Sequence, residues 1–222
     1  MSDRVLVIGA SGGIGSAIAD LHADRGDAVT RLSRREDGFD LTDDDGVRAA
    51  LEGLEGPFER IVVATGALQI DGAEPEKTIK AITAKAMRDQ FAVNAIGPAL
   101  VLRHVPDLVP RKGRSVVAVL SARVGSIGDN GIGGWVSYRS AKAAVNQVVH
   151  TAAIELARTR RDCICVALHP GTVATDFTAD YQDRHSTVSP GEAAENLARV
   201  MDGLTADDTG GFFDYAGKAI PW

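Results

Sequence analysis

The stretch Arg4-Val-Leu-Val-Ile-Gly9-Ala-Ser-Gly-Gly13-Ile-Gly15 decides the fold. Its first five residues are a short apolar run, which predicts a buried β-strand. The glycines predict a tight turn, and the residues after them have the pattern of a helix. A strand, a glycine turn and a helix in this order place backbone N–H groups and a positive helix end against a phosphate. The stretch therefore predicts a nucleotide site, although a glycine-rich turn that binds nothing would look the same.

Apolar runs alternate with helical segments along the rest of the chain. The further runs predicted as strands are 28–32, 39–41, 60–66, 115–120, 161–168 and 210–213, and the predicted helices cover 43–54, 83–108, 136–158 and 190–204. Gly97-Pro98 predicts a kink in the second of these helices. Alternating strands and helices predict a parallel sheet with helices on both faces and ligands at its carboxyl edge. The expected fold is α/β, a single doubly wound Rossmann-type domain over residues 1–222 with about seven strands.

Composition and charge exclude several classes of protein. The chain has 222 residues, of which 45% are hydrophobic, and these values are ordinary for one soluble globular domain. No apolar run is long enough to span a bilayer, and the formal charge of −6 argues against a nucleic-acid surface. Cys163 and Cys165 have the spacing of core residues in a strand, and the histidines have no metal-ligand spacing. We expect a cytoplasmic protein that binds no metal, membrane or nucleic acid.

The second predicted strand ends in Ser33-Arg34-Arg35. In a dinucleotide-binding fold, this strand end meets the adenosine ribose. An acidic residue there would bind the 2′-hydroxyl of NAD, whereas a serine and two arginines suit the 2′-phosphate of NADP. Unless it is only a solvated basic turn, the segment predicts NADP(H), with NAD(H) the less favoured cofactor.

Tyr138 and Lys142 lie four residues apart in a predicted helix that follows a buried strand and a glycine-rich loop. This spacing places them one turn apart on the same side of the helix. An ammonium beside a phenol favours the phenolate and lowers its pKa from about 10, as proton transfer near pH 7 requires. Tyr and Lys on one helical face are more often a solvated stripe, so the pair alone predicts little.

Together these residues resemble the short-chain dehydrogenase/reductase family. The motifs that carry the resemblance occur in the family's order across nearly the whole chain: Gly9-x-x-x-Gly13-x-Gly15, Asp40-Leu41, Asn94, Tyr138-x-x-x-Lys142 and Pro170-Gly171-x-Val173-x-Thr175-Asp176. Within the family, Ser121-Ala-Arg-Val-Gly-Ser126 and the ending Phe212-Phe-Asp-Tyr-x-Gly-Lys218 are similar to the C-factor group and to sniffer-type carbonyl reductases.

The resemblance implies hydride transfer between a nicotinamide and the carbonyl or alcohol carbon of a small substrate. It implies that Tyr138 is the acid/base, that Lys142 lowers its pKa and holds the nicotinamide ribose, and that Asn94 keeps a water in the proton relay. The residues implied to contact the cofactor are Gly9, Ser11, Gly13 and Ile14 at the pyrophosphate, Asp40 and Leu41 at the adenine, Pro170, Gly171, Val173 and Thr175 at the nicotinamide, and Gly66. Helices with Asn94 and Tyr138 commonly form the family's subunit interface, which implies a homodimer or homotetramer.

Three positions depart from the family's pattern. The usual Asn-Asn-Ala-Gly is replaced by Ala64-Thr-Gly-Ala67, which keeps only the glycine. Gly12 stands where many NADP-preferring members carry a basic residue. The hydroxyl that usually polarises the substrate carbonyl falls at Ala122, which leaves Ser121, Ser126 or no serine in that role. Of these, Ser121 is our predicted donor.

Two functions therefore compete. The first is an NADPH-dependent carbonyl reductase with a small substrate, which the intact Tyr138, Lys142 and Asn94 favour. The second is a dinucleotide-binding signalling or sensor protein with little turnover, which the C-factor resemblance and Ala122 favour. The substrate itself is not identified, because the loop 174–189 that would shape its pocket indicates no ligand class.

Overall fold

A single parallel sheet forms the centre of the molecule. The computed structural model describes residues 2–175 and 187–222. Within these residues the sheet has six strands in the order β2-β1-β3-β4-β5-β6, every neighbouring pair being parallel. The strands are β1 Arg4–Ile8, β2 Ala28–Leu32, β3 Arg60–Val63, β4 Ser115–Leu120, β5 Cys163–His169 and β6 Phe212–Asp214. The predicted α/β fold is confirmed, with six strands where about seven were predicted.

The strand predicted at 39–41 is a turn. Asp40 Oδ1 accepts hydrogen bonds from the amide and the hydroxyl of Thr42, both at 2.8 Å. This local bonding gives the backbone an alternative to pairing in a sheet. Phe39 and Leu41 are still buried, so the apolar pattern was that of core residues in a loop.

Helices cover both faces of the sheet. Their bounds are α1 Gly13–Asp24, α2 Arg34–Asp37, α3 Asp44–Glu52, α4 Ala84–Phe91, α5 Gly97–Leu108, α6 Val136–Leu156 and α7 Pro190–Gly203. On one face α1 and α7 pack against the sheet through Ile18 and Leu197. On the other face α3, α5 and α6 contribute Val47, Val101 and Val145 to a second core cluster. No helix in the described part of the chain is long and apolar enough to cross a membrane.

The predicted helix 83–108 is interrupted by one π-helical segment, Ala92–Ile96. Pro98 has no N–H to offer the carbonyl of Asn94, four residues earlier, so regular α-helical bonding cannot continue there. Single π-helical turns of this kind are frequent at functional sites. The segment, which lies between α4 and α5, contains Asn94, and this residue is fully buried.

The strand order creates a crevice at the carboxyl edge of the sheet. The strands that follow β1 in the chain lie on opposite sides of it, β2 on one side and β3 on the other. Ligands of open α/β sheets bind outside the carboxyl ends of the strands at such a point of reversal. The ends of β1 and β3 meet there, since a Cβ on Gly9 would lie 2.8 Å from the carbonyl oxygen of Ala64. Of the predicted loop 174–189, residues 176–186 lie outside the described residues.

Candidate active site

Lys142 and Tyr138 lie on the side of α6 that faces the end of β4. Lys142 Nζ donates a hydrogen bond to the carbonyl of Leu120, the last residue of β4, at 3.1 Å. The same nitrogen lies 5.8 Å from the centroid of the Tyr138 ring. Both side chains are buried, with 3% of Lys142 and 5% of Tyr138 exposed. The helical neighbours predicted from spacing are therefore buried beside the end of β4 and are not a solvated stripe.

Asn94 holds the chain that leaves β3. Its Nδ2 donates to the carbonyl of Ala67 at 2.8 Å, and its Oδ1 accepts from the amide of Ala67 at 3.1 Å. Nδ2 also donates to Gln90 Oε1 at 2.7 Å, and Gln90 Nε2 donates to the carbonyl of Leu68 at 2.8 Å. Sequence reasoning missed Gln90, although its spacing of four from Asn94 on a helix is a signal that could have found it.

Gly66 brings Asn94 and Lys142 together. A Cβ at this position would lie 2.9 Å from Asn94 Oδ1 and 3.2 Å from Lys142 Nζ. Any larger residue would have to displace one of these two polar groups. This close approach explains why the replaced segment Ala64-Thr-Gly-Ala67 keeps its glycine.

Burial controls the protonation of Tyr138 and Lys142. It raises the pKa of Tyr138 above its ordinary value of 10.0, and it lowers the pKa of Lys142 from 10.5 to about 8. The predicted lowering of the Tyr138 pKa by Lys142 was therefore wrong in direction. Both groups lose their hydration in the same buried region, and desolvation disfavours the charged form of each. At neutral pH Tyr138 is a neutral phenol, the form that donates a proton.

Both candidate serines donate hydrogen bonds to the protein itself. Ser121 Oγ donates to Asn146 Oδ1 at 2.6 Å, and Asn146 lies on α6, one turn beyond Lys142. Ser126 Oγ donates to the carbonyl of Pro221 near the end of the chain. Ser121 directly follows Leu120, the residue whose carbonyl accepts the Lys142 hydrogen bond.

The glycine turn after β1 packs closely against its own backbone and against the end of β3. Gly9 has φ +90°, and a Cβ on Gly15 would lie 2.2 Å from the Gly9 carbonyl oxygen. Helix α1 begins directly after Gly12, with no side-chain cap and no acidic residue in its first turn. Its N-terminal amides therefore suit a diphosphate, so the turn fits a dinucleotide cofactor. The two other predicted residues here, Ser11 and Ile14, are half-buried in the same turn.

The segment after β5 folds across this turn. A Cβ on Gly13 would lie 2.5 Å from Thr175 Cγ2, so the two predicted cofactor segments are in contact. Val173 is buried, and Gly171 has φ +81°, with its α-carbon packed against the Tyr215 ring. Pro170 is buried at the end of the same strand. Asp176, the last residue of the predicted motif, lies outside the described residues.

The predicted 2′-phosphate segment divides into two parts. Ser33 is buried and caps α2, since its Oγ accepts from the Glu36 amide at 3.2 Å and its amide donates to Asp37 Oδ2 at 2.8 Å. Arg34 and Arg35 are exposed on α2, and neither forms an ion pair with a carboxylate of the described residues. The two guanidinium groups thus lie at the solvent side of the β2 end.

The two predicted adenine residues play different parts. Hydrogen bonds from Thr42 lower the pKa of Asp40, and the positive charge of Arg34 contributes. Leu41 is buried and packs against Gly97, where a Cβ would lie 2.8 Å from Leu41 Cβ. Asp40 is thus a charged group beside the arginines, and Leu41 links this turn to α5.

The lowered pKa of Lys142 predicts a pH-dependent stability. Between about pH 8 and 10.5 the unfolded chain binds more protons at Lys142 than the folded protein does, so the free energy of unfolding rises with pH in this window. The free energy of unfolding of the protein with Lys142, minus that of Lys142→Met, should increase by on the order of 3 kcal/mol across the window. Urea unfolding measures this difference. Both proteins carry Tyr138→Phe, because the raised pKa of Tyr138 would lower the free energy of unfolding as the pH rises above 10.

Lys112→Met, at an exposed lysine, is the control and should show no such change. If the free energy of unfolding with Lys142, minus that with Lys142→Met, stays constant or falls between pH 8 and 10.5, the lowered pKa of Lys142 is contradicted.

Comparison with known proteins agrees with this geometry. The family model described as short chain dehydrogenase matches residues 38–186. A 1-hydroxy-2-glutathionyl-2-methyl-3-butene dehydrogenase of Rhodococcus sp. is 32% identical, covering 98% of this chain and 99% of that protein. The C-signal of Myxococcus xanthus is 33% identical over 61% of this chain and 78% of its own length.

Solved structures share the whole fold. A short-chain dehydrogenase/reductase from Burkholderia multivorans with bound NADP has a TM-score of 0.83 and 25% identity, with full coverage of both chains. The carbonyl reductase Sniffer of D. melanogaster has a TM-score of 0.82 at 19% identity, again over both full chains, and this likeness concerns the fold alone. The predicted resemblance to the short-chain dehydrogenase/reductase family is thus confirmed, with the C-signal among the similar sequences and Sniffer among the structures that share the fold. From the family match and the full-length similarity to the Rhodococcus dehydrogenase, the chain belongs to the short-chain dehydrogenase/reductase family, oxidoreductases that use a nicotinamide dinucleotide.

Proposed function

We propose that this protein is an NADPH-dependent oxidoreductase that interconverts a carbonyl and an alcohol on a small substrate. The observation that carries the proposal is the meeting of Asn94 and Lys142 at Gly66, one helical turn from Tyr138. This cluster lies at the carboxyl edge of the sheet, next to the glycine turn that suits a diphosphate. A proton donor and a dinucleotide cradle at one edge are what hydride transfer to a carbonyl requires.

The proton step belongs to Tyr138. When bound, the nicotinamide supplies the hydride, and the Tyr138 phenol donates its proton to the carbonyl oxygen of the substrate. Burial keeps this phenol neutral before the transfer, and the ammonium form of Lys142 stabilises the phenolate that remains after it. The Lys142 pKa of about 8 lets that residue hold or release a proton near neutral pH.

Lys142 and Asn94 also have positioning roles in the proposal. Lys142 Nζ would turn from the Leu120 carbonyl, or share it, to hold the ribose hydroxyls of the cofactor. The Asn94 side chain is committed to Ala67 and Gln90. Its main-chain carbonyl, which Pro98 cannot serve, is the group we assign to the relay water.

Replacing Tyr138 by Phe removes the proton donor and leaves the buried ring in place. We expect turnover to fall by about 10²–10⁴-fold, the usual contribution of a general acid, while the Kd for NADPH changes little. Lys142→Ala should weaken both turnover and NADPH binding, because this lysine is assigned to the ribose as well. Steady-state rates with carbonyl substrates and fluorescence titration of NADPH measure the two effects. Substantial activity in Tyr138→Phe would show that another group supplies the proton.

The cofactor preference rests on Arg34 and Arg35. Both are exposed at the end of β2 and lack ion-pair partners in the described residues, so they can bind the 2′-phosphate. The Burkholderia relative of known structure has NADP bound, which supports the same preference. The positive charge of Arg34 contributes to the lowered pKa of Asp40, so this guanidinium lies in the same region as the residues assigned to the adenine.

The Arg34→Ala variant tests the preference directly. A charge-assisted hydrogen bond contributes roughly 1.5–3 kcal/mol, so we expect the Kd for NADPH to rise about tenfold or more. The Kd for NADH should stay nearly constant, because NADH has no 2′-phosphate. Arg48→Ala, at an exposed arginine paired with Asp45, is the matched control. Equal affinities for the two cofactors in the wild type, or an unchanged ratio in Arg34→Ala, would overturn the assignment.

Ser121 is our proposed donor to the substrate carbonyl. Its hydroxyl would have to exchange Asn146 Oδ1 for the substrate oxygen by a rotation of the side chain. Ser126 is less suitable because its hydroxyl bridges to the Pro221 carbonyl and also accepts from the Asp129 amide at 3.0 Å.

Single substitutions at Ser121 and Ala122 test whether Ser121 is the donor to the substrate carbonyl. Removal of a well-placed oxyanion donor costs about 10²–10³ in rate, so Ser121→Ala should lower kcat by about two orders of magnitude. Ala122→Ser should then add little, because the donor is already present. Rate measurements on both variants decide the matter. A strong gain from Ala122→Ser with no loss from Ser121→Ala would mean that the natural protein lacks this donor.

That second outcome favours the competing proposal, a dinucleotide-binding signalling protein with little turnover. Ala122 and the engagement of both serines with the protein are the observations on its side. The similarity to the C-signal of Myxococcus xanthus supports it as well. A screen of carbonyl compounds and alcohols, including a glutathione-conjugated alcohol as in the name of the Rhodococcus relative, distinguishes the two.

We further propose a cytoplasmic homodimer or homotetramer. Ile96 and Ile154, on the π segment and on α6, are each 53% exposed, which suits burial against a second copy. Cys163 and Cys165 are unpaired thiols in the core, consistent with a reducing compartment.

A further inference from the structure

Helix α6, which carries Tyr138, begins without the usual cap. Its N-cap residue is Trp135, in a left-handed conformation with φ 50° and ψ 41°. A typical N-cap has an extended backbone, and its side-chain oxygen accepts a hydrogen bond from a first-turn amide. Trp135 makes no such bond, and the first turn contains no acidic residue. The first amides of α6 therefore need acceptors from elsewhere in the chain.

Glu76 supplies these acceptors from a loop 61 residues away. Its carboxylate accepts a hydrogen bond from the Ser137 amide at 3.2 Å and a second one from the Ser137 hydroxyl. Its main-chain carbonyl accepts from the Trp135 amide at 2.6 Å. One residue thus accepts from the amides of Trp135 and Ser137, through its backbone and its side chain respectively.

The Glu76 carboxylate is buried without a cationic partner. Only 7% of the residue is exposed, and no Lys, Arg or His of the described residues forms an ion pair with it. A buried charge is costly unless hydrogen bonds and favourable dipoles compensate for it. Here the compensation comes from the two Ser137 bonds and from the positive N-terminal end of a 21-residue helix. These interactions hold the carboxylate at the start of α6.

The contact is next to the acid/base. Ser137 precedes Tyr138 in the first turn, and the Trp135 ring lies edge-on to the Tyr138 ring with centroids 6.3 Å apart. Glu76, Ser137, Tyr138 and Gln90 line one cavity, so the Glu76 loop also borders the site. A movement of the first turn of α6 would move the Tyr138 hydroxyl with it.

We propose that Glu76 is a positioning residue that fixes Tyr138 for proton transfer by capping α6 from a separate loop. The inference rests on the proposed function, in which Tyr138 donates the proton. A displacement of about 1 Å at a reacting group can cost about 10²-fold in rate, so a loosened first turn lowers kcat. Cofactor affinity should change much less, because the phosphate-binding turn after β1 lies on another element.

Four variants test this role. Glu76→Ala removes the carboxylate, and Glu76→Gln keeps one acceptor for the Ser137 amide. Ser137→Ala removes only the hydroxyl contact. Glu52→Ala is the control, at an exposed glutamate on α3 that does not line this cavity. The measurements are kcat, KM, the Kd for NADPH, and hydrogen–deuterium exchange of the amides in residues 135–142.

We expect Glu76→Ala to lower kcat by about 10- to 100-fold. The Kd for NADPH should stay nearly constant, while the first-turn amides exchange faster. Glu76→Gln should recover most of kcat, and Ser137→Ala should lose about fivefold, the value of one hydrogen bond. Glu52→Ala should match the wild type in every measurement. This pattern is not expected of a contact that only adds to global stability.

Two results would overturn the proposal. One is a folded Glu76→Ala variant with unchanged kcat, and the other is unchanged exchange in residues 135–142. If Glu76→Ala does not fold, wild-type kcat in both Glu76→Gln and Ser137→Ala overturns it, whereas a graded loss in both supports it. The exchange readout needs no turnover. Absence of wild-type activity toward every carbonyl would therefore refute the proposed function, while exchange would still decide whether Glu76 holds α6.

Discussion

The absence of a side chain at Gly66 is the constraint on which the site depends. Asn94 Oδ1 and Lys142 Nζ come within 2.9 and 3.2 Å of the position that a Cβ would occupy. These atoms belong to a π-helical segment and to α6, which are far apart in the chain. Their approach to the end of β3 sets how closely the helices of one face can pack against the carboxyl edge of the sheet. Gly9 has the corresponding role at the end of β1, against Ala64.

Desolvation then determines the chemistry of the groups gathered there. Tyr138 and Lys142 are almost fully buried, and burial shifts the pKa of each toward its neutral form. Glu76, also buried, keeps its carboxylate at the positive end of α6 through the Ser137 bonds. Hydrogen bonds compensate the Glu76 carboxylate and the Lys142 side chain, and neither forms an ion pair within the described residues. Such an environment suits a proton donor that begins neutral and becomes charged only during the reaction.

Polar side chains with long-range partners hold the site's loops in place. Asn94 and Gln90 bind the backbone after β3, and Arg139 binds the carbonyls of Gly134 and Val124 on the other side of α6. The Ser126 bond to Pro221 and the Gly128 amide bond to the Trp222 carbonyl tie the loop after β4 to the end of the chain. The loops around α6 are thus held by hydrogen bonds to segments with little regular structure of their own.

The sequence by itself determined the alternation of strands and helices, the glycine turn and the helical spacing of Tyr138 and Lys142, because these follow from local periodicity and backbone sterics. It predicted a strand at 39–41, where the side chain of Asp40 instead stabilises a turn. Only the tertiary structure decided the direction of the Tyr138 pKa shift, the partners of Ser121 and Ser126, and the capping of α6 by Glu76. Burial and contacts between residues tens of positions apart depend on how the elements pack, and local spacing does not encode that packing.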